Sequence, residues 1–159
     1  MRVKTKRLIL QSVSSDDDIQ RLATLLADPF LADQVGLLLP ETKVERIAAI
    51  KMLVKGNHVL LINHPANGDL LGMIELSVYH GEEGEILAHQ YELGYLLAEN
   101  ARNNGYMTEA VRGMIELLPG GTILHAIVRE ENTPSRRVLA KCGFTSEDNK
   151  HWILHKLAI

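Results

Sequence analysis

The sequence is poor in the residues that build disulfide frameworks and aromatic cores. It holds one cysteine, Cys142, one tryptophan, two phenylalanines and four tyrosines. A lone cysteine closes neither an internal disulfide nor a zinc cage, so a cytoplasmic setting is the expectation. No apolar run approaches the roughly 18–20 residues that a membrane helix needs. The opening Met1-Arg2-Val3-Lys4-Thr5-Lys6 lacks the apolar stretch of a secretory leader. No membrane is therefore expected among the partners. Excess positive charge is missing too: the net charge is −3 and the pI about 6.2, which removes the electrostatic footprint of a nucleic-acid binder. Seven histidines are present, but none are in the His-Glu-x-x-His spacing of a zinc hydrolase. No metal is expected. The glycine-rich loops of nucleoside-triphosphate and dinucleotide binders are absent, as is the Gly-x-Ser-x-Gly of α/β-hydrolases.

What is present is ordinary globular material. The 159 residues are 46% hydrophobic and 23% charged, enough for one domain over residues 1–159. There is no repeat, low-complexity tract or linker. Lys6 to Val13 reads as a strand. Ser14-Ser15-Asp16-Asp17-Asp18 offers cap residues and first-turn acids for a helix carrying Ile19, Leu22, Ala23 and Leu26, stopped by Asp28-Pro29. Thr42-Lys43-Val44-Glu45 is a capping box that opens a second helix, with Ile47, Ile50 and Val54 as its stripe and Gly56 at its end. His58 to Ile62 and Leu70 to Tyr79 make a hairpin, His80 to Ala88 a loop, and Gln90 to Leu97 a further strand. A helix follows from about Gly105 to Leu118, then a strand from Thr122 to Val128 and a helix from Thr133 to Cys142. Strands near Gly143–Ser146 and Trp152–Leu157 close the chain. The order β-αα-βββ-α-β-α-ββ mixes hairpins with a β-α-β crossover. It predicts an α/β (α+β) domain, a mixed sheet flanked by helices.

The most informative stretch joins a strand to a helix through a polar turn. In the helix, Met107, Ala110, Val111, Met114, Ile115 and Leu118 form one apolar stripe, so Met107 and Met114 are core residues. The turn Arg102-Asn103-Asn104-Gly105 lies at that helix's N-terminus, where unpaired N–H groups and the helix dipole favour a phosphate or pyrophosphate. By itself the turn is equally an ordinary strand-to-helix connection. Glu92 shares a strand face with Gly94 and Leu96, opposite Tyr91, Leu93 and Tyr95. It reads either as a solvent-facing carboxylate or as a functional one. Ser135 lies on the inward stripe of the last helix with Val138, Leu139 and Cys142. Its hydroxyl either bonds the helix backbone or faces a ligand. Asn132 caps that helix by default. Glu75, in the strand Leu70 to Tyr79, reads as solvent-facing, with a place in the wall of an acceptor cleft as the alternative; the histidines read as surface or loop residues, with His89 the one worth testing.

Arg102-Asn103-Asn104-Gly105-Tyr106-Met107 resembles the acyl-CoA-binding signature of the GNAT superfamily of N-acetyltransferases, Gln/Arg-x-x-Gly-x-Gly/Ala, with Met107 replacing the final small residue. Thr5-Lys6-Arg7-Leu8-Ile9-Leu10, Glu92-Leu93-Gly94-Tyr95 and the run Asn132 to Phe144 resemble the RimJ/RimL-like branch, which acetylates ribosomal-protein N-termini. The resemblance implies a largely antiparallel GNAT-type sheet whose fourth and fifth strands splay apart to admit acetyl-CoA. It implies backbone pairing of the pantetheine at Leu96 and Leu97, and a pyrophosphate wrapped by Arg102, Asn103, Asn104, Gly105, Tyr106 and Met107, with Thr108 near it. Asn132 becomes a cofactor contact. Glu92 becomes the general base and Ser135 the hydroxyl near the thioester sulfur. The implied reaction moves an acetyl group to a primary amine, either a protein N-terminus or a small molecule such as a polyamine or aminoglycoside, by direct attack without a covalent intermediate. The rival is a non-catalytic, regulatory CoA-binding module, which needs neither Glu92 nor Ser135. A monomer or homodimer is expected. The loop acids Glu82, Glu83 and Glu85 would attract a cationic acceptor.

Overall fold

Alternation along the strands settles the architecture. In β3 (His58–Asn63), Val59 and Leu61 turn to one face and Leu60 and Ile62 to the other, and all four are buried. A strand apolar on both faces needs cover on both. The structure, a computed structural model describing residues 1–158, supplies it with two helical layers. One is built from α1 (Asp16–Leu25), α2 (Pro29–Gln34) and α3 (Lys43–Gly56), whose Leu22, Leu31 and Ile50 pack on Val59, Leu61, Met73 and Leu96. The other is built from α4 (Tyr106–Leu117) and α5 (Thr133–Lys141), whose Met107, Ala110, Met114 and Leu139 pack on Leu60, Ile62, Ile74, Leu93 and Leu124. No helix among the described residues is long and apolar enough to cross a membrane.

The sheet has eight strands. To β3 are added β1 (Arg2–Lys4), β2 (Ile9–Ser12), β4 (Leu70–His80), β5 (Ile86–Leu97), β6 (Ile123–Ile127), β7 (Thr145–Ser146) and β8 (His151–His155), in the spatial order β1-β2-β3-β4-β5-β6-β8-β7. Every pairing is antiparallel except β5 with β6, which the α4 crossover makes parallel. The mixed, largely antiparallel sheet is the expected fold class, and three observed differences are local. The expected loop from His80 to Ala88 is confined to Gly81–Glu85, because β4 runs to His80 and β5 begins at Ile86, with which His80 pairs. The expected strand from Lys6 to Val13 is shorter and begins at Ile9. Before it, Thr5 to Leu8 form a turn that closes a hairpin with β1: Thr5 N–H donates to the Leu8 carbonyl and Leu8 N–H to Thr5 Oγ1. The third is α2. Asp28-Pro29 stops α1 as predicted, but Asp28 also accepts from Phe30 N–H and Pro29 sits in the first turn, so the same dipeptide opens a new helix.

The capping box performs as read: Thr42 Oγ1 accepts from Glu45 N–H at 3.4 Å and donates to the Glu45 carboxylate at 2.6 Å. Met107 is 5% exposed, in the core as its spacing predicts. Met107→Ala is expected to cost about 2–5 kcal/mol of unfolding free energy, the range for emptying a buried Met site. Equilibrium urea unfolding beside a CoA titration checks it. A stability loss with CoA affinity within a few-fold of the parent is the expected pair of results.

Candidate active site

Strands β5 and β6 pair over only three positions, Gln90 with Ile123, Tyr91 with Leu124 and Glu92 with His125. Beyond Glu92, β5 continues for five residues bonded to β4 alone, so a gap opens between the two parallel strands. Which backbone groups face it follows from alternation. Ala98 N–H donates to the Leu71 carbonyl on β4. The Leu96 carbonyl also points to β4, so closely that a Cβ on Gly72 would overlap it. Leu93, Tyr95 and Leu97 therefore turn their N–H and carbonyl groups to the gap. Of the two residues expected to pair there, Leu97 does face it and Leu96 does not; the Leu96 side chain is 2% exposed under the α1–α3 layer.

The polar turn stands at the wide end of this gap. After a 3-10 turn at Glu99–Ala101, Arg102 Nε donates to the Leu97 carbonyl at 3.3 Å and its guanidinium lies over the Phe30 ring. Asn104 Nδ2 donates to the carbonyls of Ala101 and Arg102. Asn103 (φ 62°) and Gly105 (φ 73°) are both left-handed. Gly105 is the N-cap of α4 and provides no side-chain bond, so the N–H groups of Tyr106, Met107 and Thr108 at the helix start have no side-chain cap.

Sequence reasoning missed a second charge at this point. Arg7, in the turn between β1 and β2, reaches across to α4: its Nη1 donates to the Asn104 carbonyl at 2.8 Å and its Nε to Glu109 at 2.7 Å. Its guanidinium lies over the Tyr106 ring and within 3.4 Å of where a Cβ on Gly105 would stand. Glu109 also accepts from Thr5 Oγ1 and Arg7 N–H. Burial alone would raise the Glu109 carboxyl, but these hydrogen bonds and the Arg7 charge outweigh it and hold the group below the usual carboxylate range. Arg7 is thus fixed beside an uncapped helix N-terminus. The partners lie about a hundred residues apart, and the only signal in the sequence is the resemblance of its Thr5-x-Arg7-Leu8 run.

Ser135 and Glu92 approach the same length of β5 from opposite faces and do not touch. Ser135 Oγ donates to the Tyr95 hydroxyl at 2.9 Å, and that hydroxyl donates to the Ser135 carbonyl at 3.1 Å. Burial pushes the Tyr95 phenol up, so it stays a donor. Both hydroxyl protons are committed to this pair. Asn132 Oδ1 accepts from Ser135 N–H at 3.3 Å, which makes it the N-cap of α5. Glu92 is exposed on the other face, next to Gly94, over which Val35 at the end of α2 packs.

Glu75 corrects the sequence reading. It is 9% exposed rather than solvent-facing, and it accepts from Asn57 Nδ2 at 2.8 Å. On β4 it is opposite Gly94, diagonal to Glu92 on the same face. Burial first, and the like charge of Glu92 second, push its carboxyl up against the Asn57 bond. A carboxyl raised by folding contributes stability below its unfolded value of about 4.3 and loses it as pH rises through the folded value. Glu75→Gln should therefore unfold at a higher temperature than the parent at pH 7 and close to it at pH 4. Thermal melts at the two pH values check this.

A sheet that opens beside its one parallel pair, with a charged helix N-terminus at the opening, is the architecture of an acyl-CoA transferase. Residues 7–145 match the acetyltransferase (GNAT) domain family, and the chain belongs to it. Over 81 residues, 49% of this chain, it is 36% identical to YnaD, an uncharacterised N-acetyltransferase of Bacillus subtilis (strain 168). That match spans 44% of the relative's length. Among solved structures, the fold is similar to RimL, a ribosomal L7/L12 alpha-N-protein acetyltransferase in complex with coenzyme A (TM-score 0.79, 13% identity, 100% of each chain covered). It is also similar to a spermidine N-acetyltransferase from Vibrio cholerae in complex with CoA and spermine (TM-score 0.75, 13% identity, 94% of this chain and 96% of that one).

Proposed function

We propose that the protein transfers an acetyl group from acetyl-CoA to a primary amine, in the manner of the RimJ/RimL-like branch. The observation that carries the reading is the end of β5–β6 pairing at Glu92 and His125, with the uncapped start of α4 at the wide end of the gap. The residues fit the cosubstrate. The Leu93 carbonyl, the N–H and carbonyl of Tyr95 and the Leu97 N–H are available to an extended pantetheine, and the N–H groups of Tyr106, Met107 and Thr108 with the Arg7 guanidinium suit a pyrophosphate. Arg102, Asn103, Asn104 and Gly105 shape the turn around it. Asn132 acts as the cap that orients Ser135. Acetyl-CoA supplies a thioester that a neutral amine can attack directly.

Glu92, on the open face, takes the proton that the attacking amine loses, directly or through water. Ser135, on the other face, is the proton donor to the leaving thiolate; it must turn its hydroxyl from Tyr95 to do so, and Tyr95 holds it ready. The carboxylates of Glu75 and Glu92 on one face suit a cationic amine. A polypeptide N-terminus and a polyamine both meet that description. The test is amine-dependent release of free thiol from acetyl-CoA over a panel of free-N-terminus peptides, polyamines and aminoglycosides. Turnover with at least one class is expected. CoA binding with no amine-dependent release would instead make the chain a CoA-binding regulatory module.

A further inference from the structure

The histidines are not all at the surface, as the sequence suggested. His125 is 5% exposed, stacked on Tyr79 with ring centroids 3.6 Å apart and planes 6° from parallel. It sits opposite Glu92 in the last β5–β6 pair, at the point from which the gap opens. Its Nε2 lies 2.7 Å from Gln90 Oε1, and its Nδ1 lies 2.9 Å from His151 Nε2. His151 Nδ1 in turn lies 3.2 Å from Glu147 Oε2. Gln90 begins the pairing with β6 at the end of an irregularity on the β4 side: between the pairs His80–Ile86 and Val78–Tyr91, Leu87 to Gln90 stand against Tyr79 alone, and His89 takes φ 60°. Gln90 shares the face of Glu92, two residues away.

The chain of four side chains fixes its own protons. A carboxylate only accepts, so His151 carries hydrogen on Nδ1. The carbonyl oxygen of Gln90 only accepts, so His125 carries hydrogen on Nε2. Neutral His125 then has a bare Nδ1, and the hydrogen between the rings belongs to His151 Nε2. With hydrogen on both nitrogens, His151 would pair with Glu147 as an imidazolium. Burial, and after it the charges of His151 and His155, hold the His125 imidazole below its usual value against the pull of Glu147, which keeps that ring neutral. Removing one proton reverses the chain. His151 keeps Nδ1–H for Glu147 and accepts at Nε2. His125 must then donate from Nδ1 and accept at Nε2, and Gln90 must turn its amide to present NH₂.

We propose that His125 is a positioning residue for acetyl transfer: its bond to Gln90, reversed when His151 loses a proton, sets which end of the Gln90 amide is left free on the Glu92 side of the cleft. With His151 charged, Gln90 leaves its NH₂ free to steady the Glu92 carboxylate. With His151 neutral, it leaves a carbonyl oxygen there. The groups facing His125 are Tyr79 from β4, Gln90 and Glu92 from β5, His151 and His155 from β8, and Glu147 from the turn before it. The inference rests on the reading of Glu92 as the base.

The test joins imidazole nitrogen NMR to kinetics on the full chain between pH 5 and 8, the range in which histidine changes charge. In the parent, His125 is expected to move its hydrogen from Nε2 to Nδ1 as pH rises, and kcat is expected to bend at the same midpoint with the acetyl-CoA KM unchanged. In His151→Phe, the swap should be lost. In Gln90→Glu, whose carboxylate only accepts, His125 should keep Nε2–H throughout and the bend should vanish, with kcat itself lowered because the NH₂ beside Glu92 is gone. A single His125 tautomer across the range in the parent overturns the proposal, as does a bend that persists in Gln90→Glu. If the swap and bend behave as expected while Glu92→Gln keeps full kcat, the reading of Glu92 as base has failed and the histidine chain has not.

Discussion

Gly105→Glu is expected to lower CoA affinity by at least about 100-fold, roughly 3 kcal/mol, while the protein stays folded. Gly105 has φ 73°, so any side chain there costs about 1–2 kcal/mol of backbone strain. A carboxylate at a helix start returns part of that cost through the dipole, and the Arg7 guanidinium 3.4 Å from the new Cβ gives it a partner. The substitution thus places a built-in anion where the pyrophosphate is proposed to bind. Gly105→Ala separates the two effects. It carries the strain without the charge and should lose far less affinity. Calorimetry with CoA on both variants reads the difference; parental affinity in Gly105→Glu would remove the turn from the site.

Glu92→Gln is expected to lower kcat by about 10²–10⁴ at pH 7, the usual worth of a general base, with CoA affinity unchanged. The amine must be neutral to attack. An α-amino group with pKa near 8 is about 10% neutral at pH 7, whereas a lysine-like amine near 10.4 is only about 0.04% neutral. Raising the pH supplies free amine without help, so the deficit should shrink toward pH 9, and more for an N-terminal acceptor than for a lysine-like one. Steady-state rates across pH for both acceptors test this. Near-parental kcat at pH 7 would mean that positioning alone drives the transfer.

The parts of the fold that could be read in the sequence are those whose causes are local. The stripe of α4, the Thr42 box and the hairpin of β3 and β4 each follow from spacing within a dozen residues, and each stands where expected. The β1–β2 turn was hidden because Lys6 to Val13 alternates like a strand. The local Thr5–Leu8 bonds close the turn, and Thr5 and Arg7 hold it by bonding Glu109, a contact between residues more than a hundred positions apart. Pro29 was ambiguous in itself, since a proline that ends one helix equally begins another. Glu75 and His125 were misjudged for one reason. Period-two alternation tells which residues share a face but not how far the neighbouring element covers that face, and Asn57 and Tyr79 cover them. The Ser135–Tyr95 pair joins α5 to β5 and has no local signal at all, although the inward direction of Ser135 was legible in its stripe.

The measurement that bears most directly on the account is the structure of the protein with CoA. The pantetheine should lie between β5 and β6, bonded to backbone groups of Leu93, Tyr95 or Leu97, with the pyrophosphate against the N–H groups of Tyr106 to Thr108 and the Arg7 guanidinium within hydrogen-bond reach. CoA bound elsewhere, as in the cavity of about 370 Å³ lined by Val54, Leu76, Tyr91 and Leu118 at the far end of α4, would contradict it.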